Sequence, residues 1–384
     1  MSYRFGNARG GRPQNRIKYM RVDPRVLIKK AVPQIASEHV PQHQFVDFPL
    51  EPILQANILA KGYTTPTAIQ DQALPLVLEG KDVVGLAATG TGKTAVFLLP
   101  IINQVIKERN HKAIVITPTR ELAAQIVDEG RAFARGTRCY FSLLIGGVDL
   151  RRQIQDMKRG SQVIVGTPGR IKDLAERGNL RLADFQTVVL DEVDRMLDMG
   201  FIRDIQRIIS ALPKERHSLF FSATMSEKTK QVAQSFLHDP VTVRVESQGA
   251  SCNINQDVVK LSGRNKIDVL QSLLVQPGFD KVLVFGRTKR GAEKLSQLLS
   301  KRGFSSIAIH GNKNQNQRQR ALDAFKRNRF KIMIATDVAA RGLDVDNITH
   351  VINYELPETY EDYIHRIGRT GRADRTGVAL TFID

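Results

Sequence analysis

Residues 87–94 read Ala87-Ala88-Thr89-Gly90-Thr91-Gly92-Lys93-Thr94. They follow an apolar run, Val83-Val84-Gly85-Leu86, and lead into Ala95-Val96-Phe97-Leu98-Leu99, a stretch with helical character. A strand, a glycine-rich turn and a helix start together form a phosphate cradle. Gly90 and Gly92 let the backbone wrap closely around an anion, and the helix N-terminus adds aligned N–H donors. Lys93 would reach the outer phosphates of a nucleotide, and the Thr94 hydroxyl would ligate Mg²⁺. The full phosphate-loop pattern asks for glycine at position 87, where this chain has alanine; the plain alternative is an ordinary strand-to-helix turn. Residues 365–372 read His-Arg-Ile-Gly-Arg-Thr-Gly-Arg and supply arginines that could enter the same site from across a cleft. Glycines at 368 and 371 disfavour a simple surface helix and suit close approach.

A second set of groups follows the apolar run Val188-Val189-Leu190: Asp191-Glu192-Val193-Asp194. A carboxylate at the C-terminal end of a parallel strand sits where such folds bind ligands. Asp191 would hold Mg²⁺, and Glu192 would orient or deprotonate an attacking water. An acidic helix start, favoured by the helix dipole, is the alternative. Pairing with Gly-Lys-Thr earlier in the chain favours chemistry.

These groups must be positioned by folded elements, and a chain of 384 residues has room for about two domains. Hydrophobic content of 42% suits soluble folded domains. No stretch approaches the roughly 18 apolar residues of a membrane helix. The N-terminus lacks an apolar signal core, which makes the cytoplasm the expected location. Cys139 and Cys252 lie far apart without nearby ligand partners, as expected for incidental thiols. The net charge of +18 points to an anionic polymer, nucleic acid before membrane. Nine bases (Arg4, Arg9, Arg12, Arg16, Lys18, Arg21, Arg25, Lys29 and Lys30) precede residue 39, against Asp23 and Glu38. That segment is either a solubilising tail or a nucleic-acid contact.

From Lys81 onward, β-rich runs alternate with helical patterns. Strands are expected at 113–117, 140–145, 163–165, 188–190, 219–221 and 241–245, with helices such as 120–133 and 202–212 between them. The polar stretch 246–256 has no apolar period. Alternation resumes at 282–285, 307–309, 332–335, 351–353 and 378–382, with helices at 289–302 and 316–326. Such alternation predicts an α/β fold of two doubly wound parallel-sheet domains in tandem, with a cleft between them. The expected boundaries are a basic, flexible extension at 1–44, a first domain at 45–246, a linker at 247–256 and a second domain at 257–384. The chain ends at Asp384, directly after the last expected strand, where a doubly wound domain usually adds a covering helix.

The ordered motifs resemble the DEAD-box ATP-dependent RNA helicases of superfamily 2, over roughly residues 45–384. The resemblance rests on Gly62-Tyr63-Thr64-Thr65-Pro66-Thr67-Ala68-Ile69-Gln70, the phosphate loop, Pro118-Thr119-Arg120-Glu121-Leu122, Gly146-Gly147, Thr167-Pro168-Gly169-Arg170 and the Asp-Glu-Val-Asp segment. It continues through Ser222-Ala223-Thr224, Gln315-Asn316-Gln317-Arg318, Ala335-Thr336-Asp337, Arg341-Gly342-Leu343-Asp344 and residues 365–372. It implies two RecA-like domains that close on ATP·Mg²⁺ and RNA. By this resemblance Gln70 pairs with the adenine edge and Phe45 stacks on the ring, although a core phenylalanine is the plain alternative. Gly342 and Asp344 face the nucleotide from the second domain, Asp344 at the ribose. Ser222, Thr224, Asp194 and His365 couple hydrolysis to closure. Arg369 and Arg372 match the arginine fingers, which contribute about 10³–10⁵ in rate, roughly 4–7 kcal/mol. RNA contacts fall to Arg120, Gly147, Thr167 and Arg170, and to Gln315, Arg318 and Thr336. Such groups hold the sugar–phosphate backbone without reading bases.

The resemblance further implies a monomer that acts on single-stranded or duplex RNA, with ribosomal or RNA-turnover proteins as partners. Two departures stand out: Val193 where the family name has alanine, and Gly286 in Val284-Phe285-Gly286-Arg287-Thr288, where a larger residue is common. Rival readings are a DNA-directed superfamily 2 translocase and a catalytically silent RNA clamp.

Overall fold

The computed structural model describes residues 27–31, 39–88, 90–245, 253–340, 345, 347–371 and 376–384. Thr89, Gly342, Asp344 and Arg372, all expected site residues, lie outside the described residues, as do Cys252 and most of the expected linker and N-terminal extension.

The first domain runs α1 (Pro52–Ala60), α2 (Ala68–Leu78), β1 (Val83–Leu86), α3 (Lys93–Lys107), β2 (Ala113–Ile116), α4 (Arg120–Phe133), β3 (Phe141–Leu144) and α5 (Leu150–Lys158). It continues with β4 (Val163–Gly166), α6 (Pro168–Glu176), β5 (Thr187–Leu190), α7 (Val193–Asp198), α8 (Ile202–Ala211), β6 (His217–Ser222), α9 (Glu227–Phe236) and β7 (Val241–Arg244). The second domain runs β8 (Ile254–Lys260), α10 (Lys266–Leu274), β9 (Val282–Phe285), α11 (Lys289–Lys301), β10 (Ser306–Ile309) and α12 (Gln315–Lys326). It closes with β11 (Ile332–Ala335), α13 (Asp337–Ala340), β12 (His350–Asn353), α14 (Tyr360–Ile367) and β13 (Gly377–Ile383).

The first sheet has seven strands in the order β3-β4-β2-β5-β6-β1-β7, and the second has six in the order β10-β11-β9-β12-β13-β8. All neighbours are parallel, with registers such as Val83 opposite Leu219 and Val282 opposite Ile332. Helices on both faces explain why the central strands are buried along nearly their whole length. Alternate side chains feed two cores: Val83 and Leu219 join Leu74, Phe97 and Ile126 on one face. Val84 and Phe220 join Ile171, Met196 and Ile205 on the other. The second domain repeats this, with Val282 and Val284 on one side and Leu283 and Phe285 on the other.

Three expectations change. Ile254–Gln256, the end of the expected linker, begin β8 instead; this edge strand alternates buried Ile254 and Gln256 with exposed Asn255 and Asp257, so its polar half hides the pattern. The last strand, β13, lies inside the sheet between β12 and β8, so it is not the edge that a further helix would cover. The extension expected to be flexible is docked wherever it is described. Leu27 is fully buried against Ile254, Tyr363 and Ile367, and Lys29 exchanges backbone hydrogen bonds with Gln256 at 3.0 and 2.7 Å. Ala31 N–H donates to Asn255 Oδ1 at 2.9 Å. Further on, the Gln42 and His43 N–H groups donate to the Asp71 carboxylate at 2.8 and 3.1 Å, and His39 and His43 face it at 3.1 and 2.8 Å. No helix among the described residues is long and apolar enough to cross a membrane.

Candidate functional site

The groups that could do chemistry follow the C-terminal ends of strands, at the crevice where such sheets bind ligands. After β1 the loop turns into α3 through Gly92, which is left-handed at φ +91°. A Cβ there would lie 2.5 Å from Gln70 Nε2, so the position requires glycine for both conformation and space. Ala87 is different. It continues the strand pairing, its N–H donating to the Ser222 carbonyl at 3.1 Å, so it does not need the glycine of the general pattern. The Lys93 ammonium is buried and donates to the Ala87 carbonyl at 2.7 Å, a bond that a phosphate oxygen could replace.

Gln70 braces this loop from α2. Its Oε1 accepts from Thr67 N–H at 2.9 Å and its Nε2 donates to the Gly92 carbonyl at 3.0 Å, while the Thr67 hydroxyl donates to the Thr91 carbonyl at 2.8 Å. The segment expected to read adenine is thereby tied to the loop expected to hold phosphates. Phe45, expected to stack on the adenine ring, is packed into the protein itself. Only 2% exposed, its ring packs edge-on against Phe48 and Tyr63 in the first-domain core, the plain alternative for an aromatic at that position.

After β5, Asp191 is buried, and its Oδ1 has no hydrogen-bond partner among the described residues. Burial, reinforced by Glu192 and opposed by Lys93 and Arg195, raises its carboxyl to about 7. A buried carboxylate oxygen without a donor, in the field of Lys93, has the chemistry of one ligand to a hard cation. Glu192 has a left-handed backbone at φ +54°. Arg195 Nη1 donates to its two oxygens at 2.8 and 2.7 Å. Burial alone would raise the Glu192 carboxyl, but Arg195, Lys93 and Arg369 outweigh it and hold it below its ordinary value. Glu192 therefore stays ionised, as a group that orients or accepts from water must. Val193 points away, fully buried in the core that holds Leu190 and Met196.

Asp194 ties this strand end to the next. Its Oδ2 accepts from the Ala223 and Thr224 N–H groups at 3.1 and 2.8 Å and from the Thr224 hydroxyl at 3.0 Å. The Ser222 hydroxyl accepts from Asp194 N–H at 3.3 Å and donates to the Thr224 carbonyl at 2.8 Å.

The second domain brings Arg369 to this centre, buried and close enough to depress Glu192. Its neighbour Arg366 has no role in the sequence pattern, yet it organises the segment. It holds Asp337 through Nε at 2.5 Å and Nη2 at 2.8 Å, donates to Asn353 Oδ1 and the Glu355 carbonyl, and lies over Phe285. His365 is half-buried on the same helix.

A second cleft crosses both domains, a cavity of about 530 Å³ lined by Arg120, Thr167, Arg170, Gly311 and Arg318 among others. Arg120 lies flat across Gly146 and Gly147; a Cβ on Gly147, at φ +76°, would come within 2.3 Å of its guanidinium. Burial first, then repulsion from Arg318 and Arg170, lowers the Arg120 pKa, so an anion there would relieve a crowded positive cluster. Gln315 and Arg318 cross the seam to Glu121: Gln315 Nε2 donates to Oε1 at 3.3 Å, and Arg318 Nε lies 2.8 Å from it. Thr336 is buried at the start of α13. Sequence patterning missed Glu121, Arg195 and Arg366. The three-residue helical offset of Glu192 and Arg195 was the available signal for that pair; Glu121 and Arg366 sit inside the quoted motifs but without a role.

A family model described as DEAD/DEAH box helicase matches residues 67–232, and one described as helicase conserved C-terminal domain matches residues 265–374. The ATP-dependent RNA helicase CshA of Limosilactobacillus reuteri is 44% identical over 342 residues, 88% of this chain and 69% of that protein. The DEAD-box ATP-dependent RNA helicase CshA of Bacillus subtilis is 45% identical over 341 residues, with 88% and 69% covered. Among solved structures, a Methanococcus jannaschii DEAD box protein is 38% identical with a TM-score of 0.52, over 88% of this chain and 93% of that one. Saccharomyces cerevisiae Dbp5 bound to RNA and ADP BeF3 is 32% identical with a TM-score of 0.77, over 88% and 89%.

Proposed function

This chain belongs to the DEAD-box helicases, and from that premise we propose that it is an ATP-dependent RNA helicase whose two domains share one hydrolytic centre. The observation that carries the proposal is the cluster of Lys93, Asp191 and Glu192 in the first domain, with Arg369 of the second near enough to act electrostatically on Glu192. Lys93 leaves the Ala87 carbonyl for the outer phosphates of ATP. Glu192, kept ionised by Arg195, orients the attacking water and accepts its proton. Arg369 steadies the negative charge that grows on the transferring phosphoryl, and the products are ADP and phosphate. A divalent cation, Mg²⁺ in this proposal, held by Asp191 and Thr94, supplies neutralisation of phosphate charge. The unpartnered Asp191 Oδ1 supports that assignment.

RNA lies in the cleft of Arg120, Gly147, Thr167, Arg170 and Arg318, held by its backbone with little regard to base. Because the cleft spans both domains, RNA favours the closed form in which Arg369 reaches Glu192, which makes hydrolysis RNA-dependent. Closure on one strand then separates short duplexes locally. Asp194, with its three bonds to residues 223 and 224, transmits the state of the nucleotide to that motion. The proposal extends to a cytoplasmic monomer with ribosomal or RNA-turnover proteins as partners, and it assigns a first domain at 45–246 and a second that begins with β8 at Ile254.

The test is turnover of ATP with single-stranded RNA, with DNA of equal length, and with neither. We expect weak basal hydrolysis, strong stimulation by RNA, and loss of both in Lys93→Ala with an unchanged cooperative melt. Equal stimulation by DNA would move the protein to the DNA-directed translocases. RNA binding without hydrolysis would make it a silent clamp.

A further inference from the structure

Outside both clefts, the second domain carries a cavity of about 570 Å³ along the outer side of α12. Its floor is apolar, made by Ile307 on the edge strand β10, Ala321 and Ala324 on α12, and Phe330. Its rim is cationic, with Lys313, Arg320, Arg327 and Arg329 against one carboxylate, Asp323, which already accepts from Gln319 at 2.9 Å. Lys313 is paired with Glu293 at 3.2 Å. The three arginines are exposed and have no acidic partner among the described residues.

We propose that this cavity is an accessory RNA-binding site that takes the single strand leaving the interdomain cleft. The inference rests on the RNA helicase reading and deepens it. Continuity is the first argument. Gly311 and Arg318 line the interdomain cleft, while Lys313 and Gln317, two residues and one residue away in sequence, line this cavity. The N-terminal turn of α12 is therefore the common wall, and a strand passing Arg318 meets the cationic rim next. Chemistry is the second argument. Unpaired guanidinium groups around an apolar floor with one aromatic ring match a polyanion whose bases need an apolar face, and such sites bind without sequence preference. The site would lengthen the RNA footprint without touching the catalytic residues.

The triple variant Arg320→Gln/Arg327→Gln/Arg329→Gln tests this, because all three side chains are exposed and the fold should survive, as a cooperative melt would verify. Two oligouridylates serve as probes, one short enough to fill the interdomain cleft alone and one about twice as long. The wild-type protein should bind the long oligomer more tightly and with the steeper salt dependence. The variant should lose that advantage, with a log–log slope on the long oligomer shallower by about 2, from three contacts at about 0.7 each. Its affinity for the short oligomer and its RNA-saturated turnover should be unchanged. Equal affinity and slope for wild type and variant on the long oligomer would overturn the proposal. So would selective binding of poly-glutamate by the wild type with no difference on RNA, which would make the cavity a seat for an acidic protein segment. If the short oligomer fails to stimulate wild-type turnover, the helicase reading itself fails and takes this inference with it.

Discussion

Arg120 and Val193 show how single side chains divide the work between binding and support. Arg120 can lie across the 146–147 turn only because both residues lack a Cβ. Gly147→Ala would force a left-handed alanine, at a cost of roughly 1–2 kcal/mol, and push the guanidinium off its seat. RNA affinity should fall about 5- to 150-fold if one or two charge-assisted contacts of roughly 1–3 kcal/mol are lost, while RNA-free turnover stays the same. Titration of a labelled oligomer checks it, and unchanged affinity would remove Arg120 from the RNA site. Val193 belongs to the opposite class. It sits fully buried behind the catalytic strand end, so Val193→Ala should lower stability by about 1–3 kcal/mol while turnover stays within tenfold. A denaturant melt with a parallel rate measurement separates the two effects. A thousandfold change in rate would mean that this position tunes the chemistry.

At the scale of elements, the segment that leads into α1 is clamped to α2 by Asp71, next to the Gln70 that braces the phosphate loop. Burial alone would raise the Asp71 carboxyl, but the Gln42 and His43 N–H groups and the His43 ring outweigh it and hold it below the ordinary range. A lowered folded value means that the clamp's contribution is fully present above the unfolded carboxylate value near 4, and is lost as pH falls through the folded value. Asp71→Asn should therefore melt earlier than wild type at pH 7, and the difference should narrow progressively as pH falls below about 4. A gap of constant size from pH 7 down through the acid range would show that the carboxylate charge is not what holds the segment. The strands and the phosphate loop were legible in the sequence because their signals are contiguous: four apolar residues in a row, or Gly-Lys-Thr after them. β8 was not, because an edge strand with Asn255 and Asp257 facing outward reads as a polar linker. The packing of Phe45 was not legible for a related reason, since spacing can locate an aromatic ring without saying whether its face is open or packed. Arg366 was hidden among arginines of the same segment, and only the fold distinguishes the one that binds Asp337 from the one that approaches Glu192.

For the whole molecule, the N-terminal segment matters as a covalent strap as well as a source of charge. Residues 27–31 dock on the second domain through Leu27 and the Lys29–Gln256 bridge, while residues 39–43 dock on the first through Asp71. Eight peptide steps separate Ala31 from His39, at most about 3.6 Å each, so with both ends docked these points cannot part by more than about 29 Å. The domains are thus joined twice, here and through the segment ahead of β8, which limits how far the closed site can open and how much ordering RNA must supply. Leu27→Asp should release the strap, because an unpaired carboxylate cannot stay among Ile254, Tyr363 and Ile367. Labels on the two domains should then report a wider open state by single-molecule energy transfer, and half-maximal stimulation should need severalfold more RNA. RNA-saturated turnover should hold, since Lys93, Asp191, Glu192 and Arg369 are untouched. The substitution keeps all nine early bases, so its salt dependence should match wild type. Deleting residues 1–31 should add an electrostatic loss, with the log–log slope shallower by about 0.7 for each phosphate contact removed. Identical domain separation in wild type and Leu27→Asp would show that the strap does not restrain opening, and an unchanged salt slope in the deletion would rule out the early bases as RNA contacts.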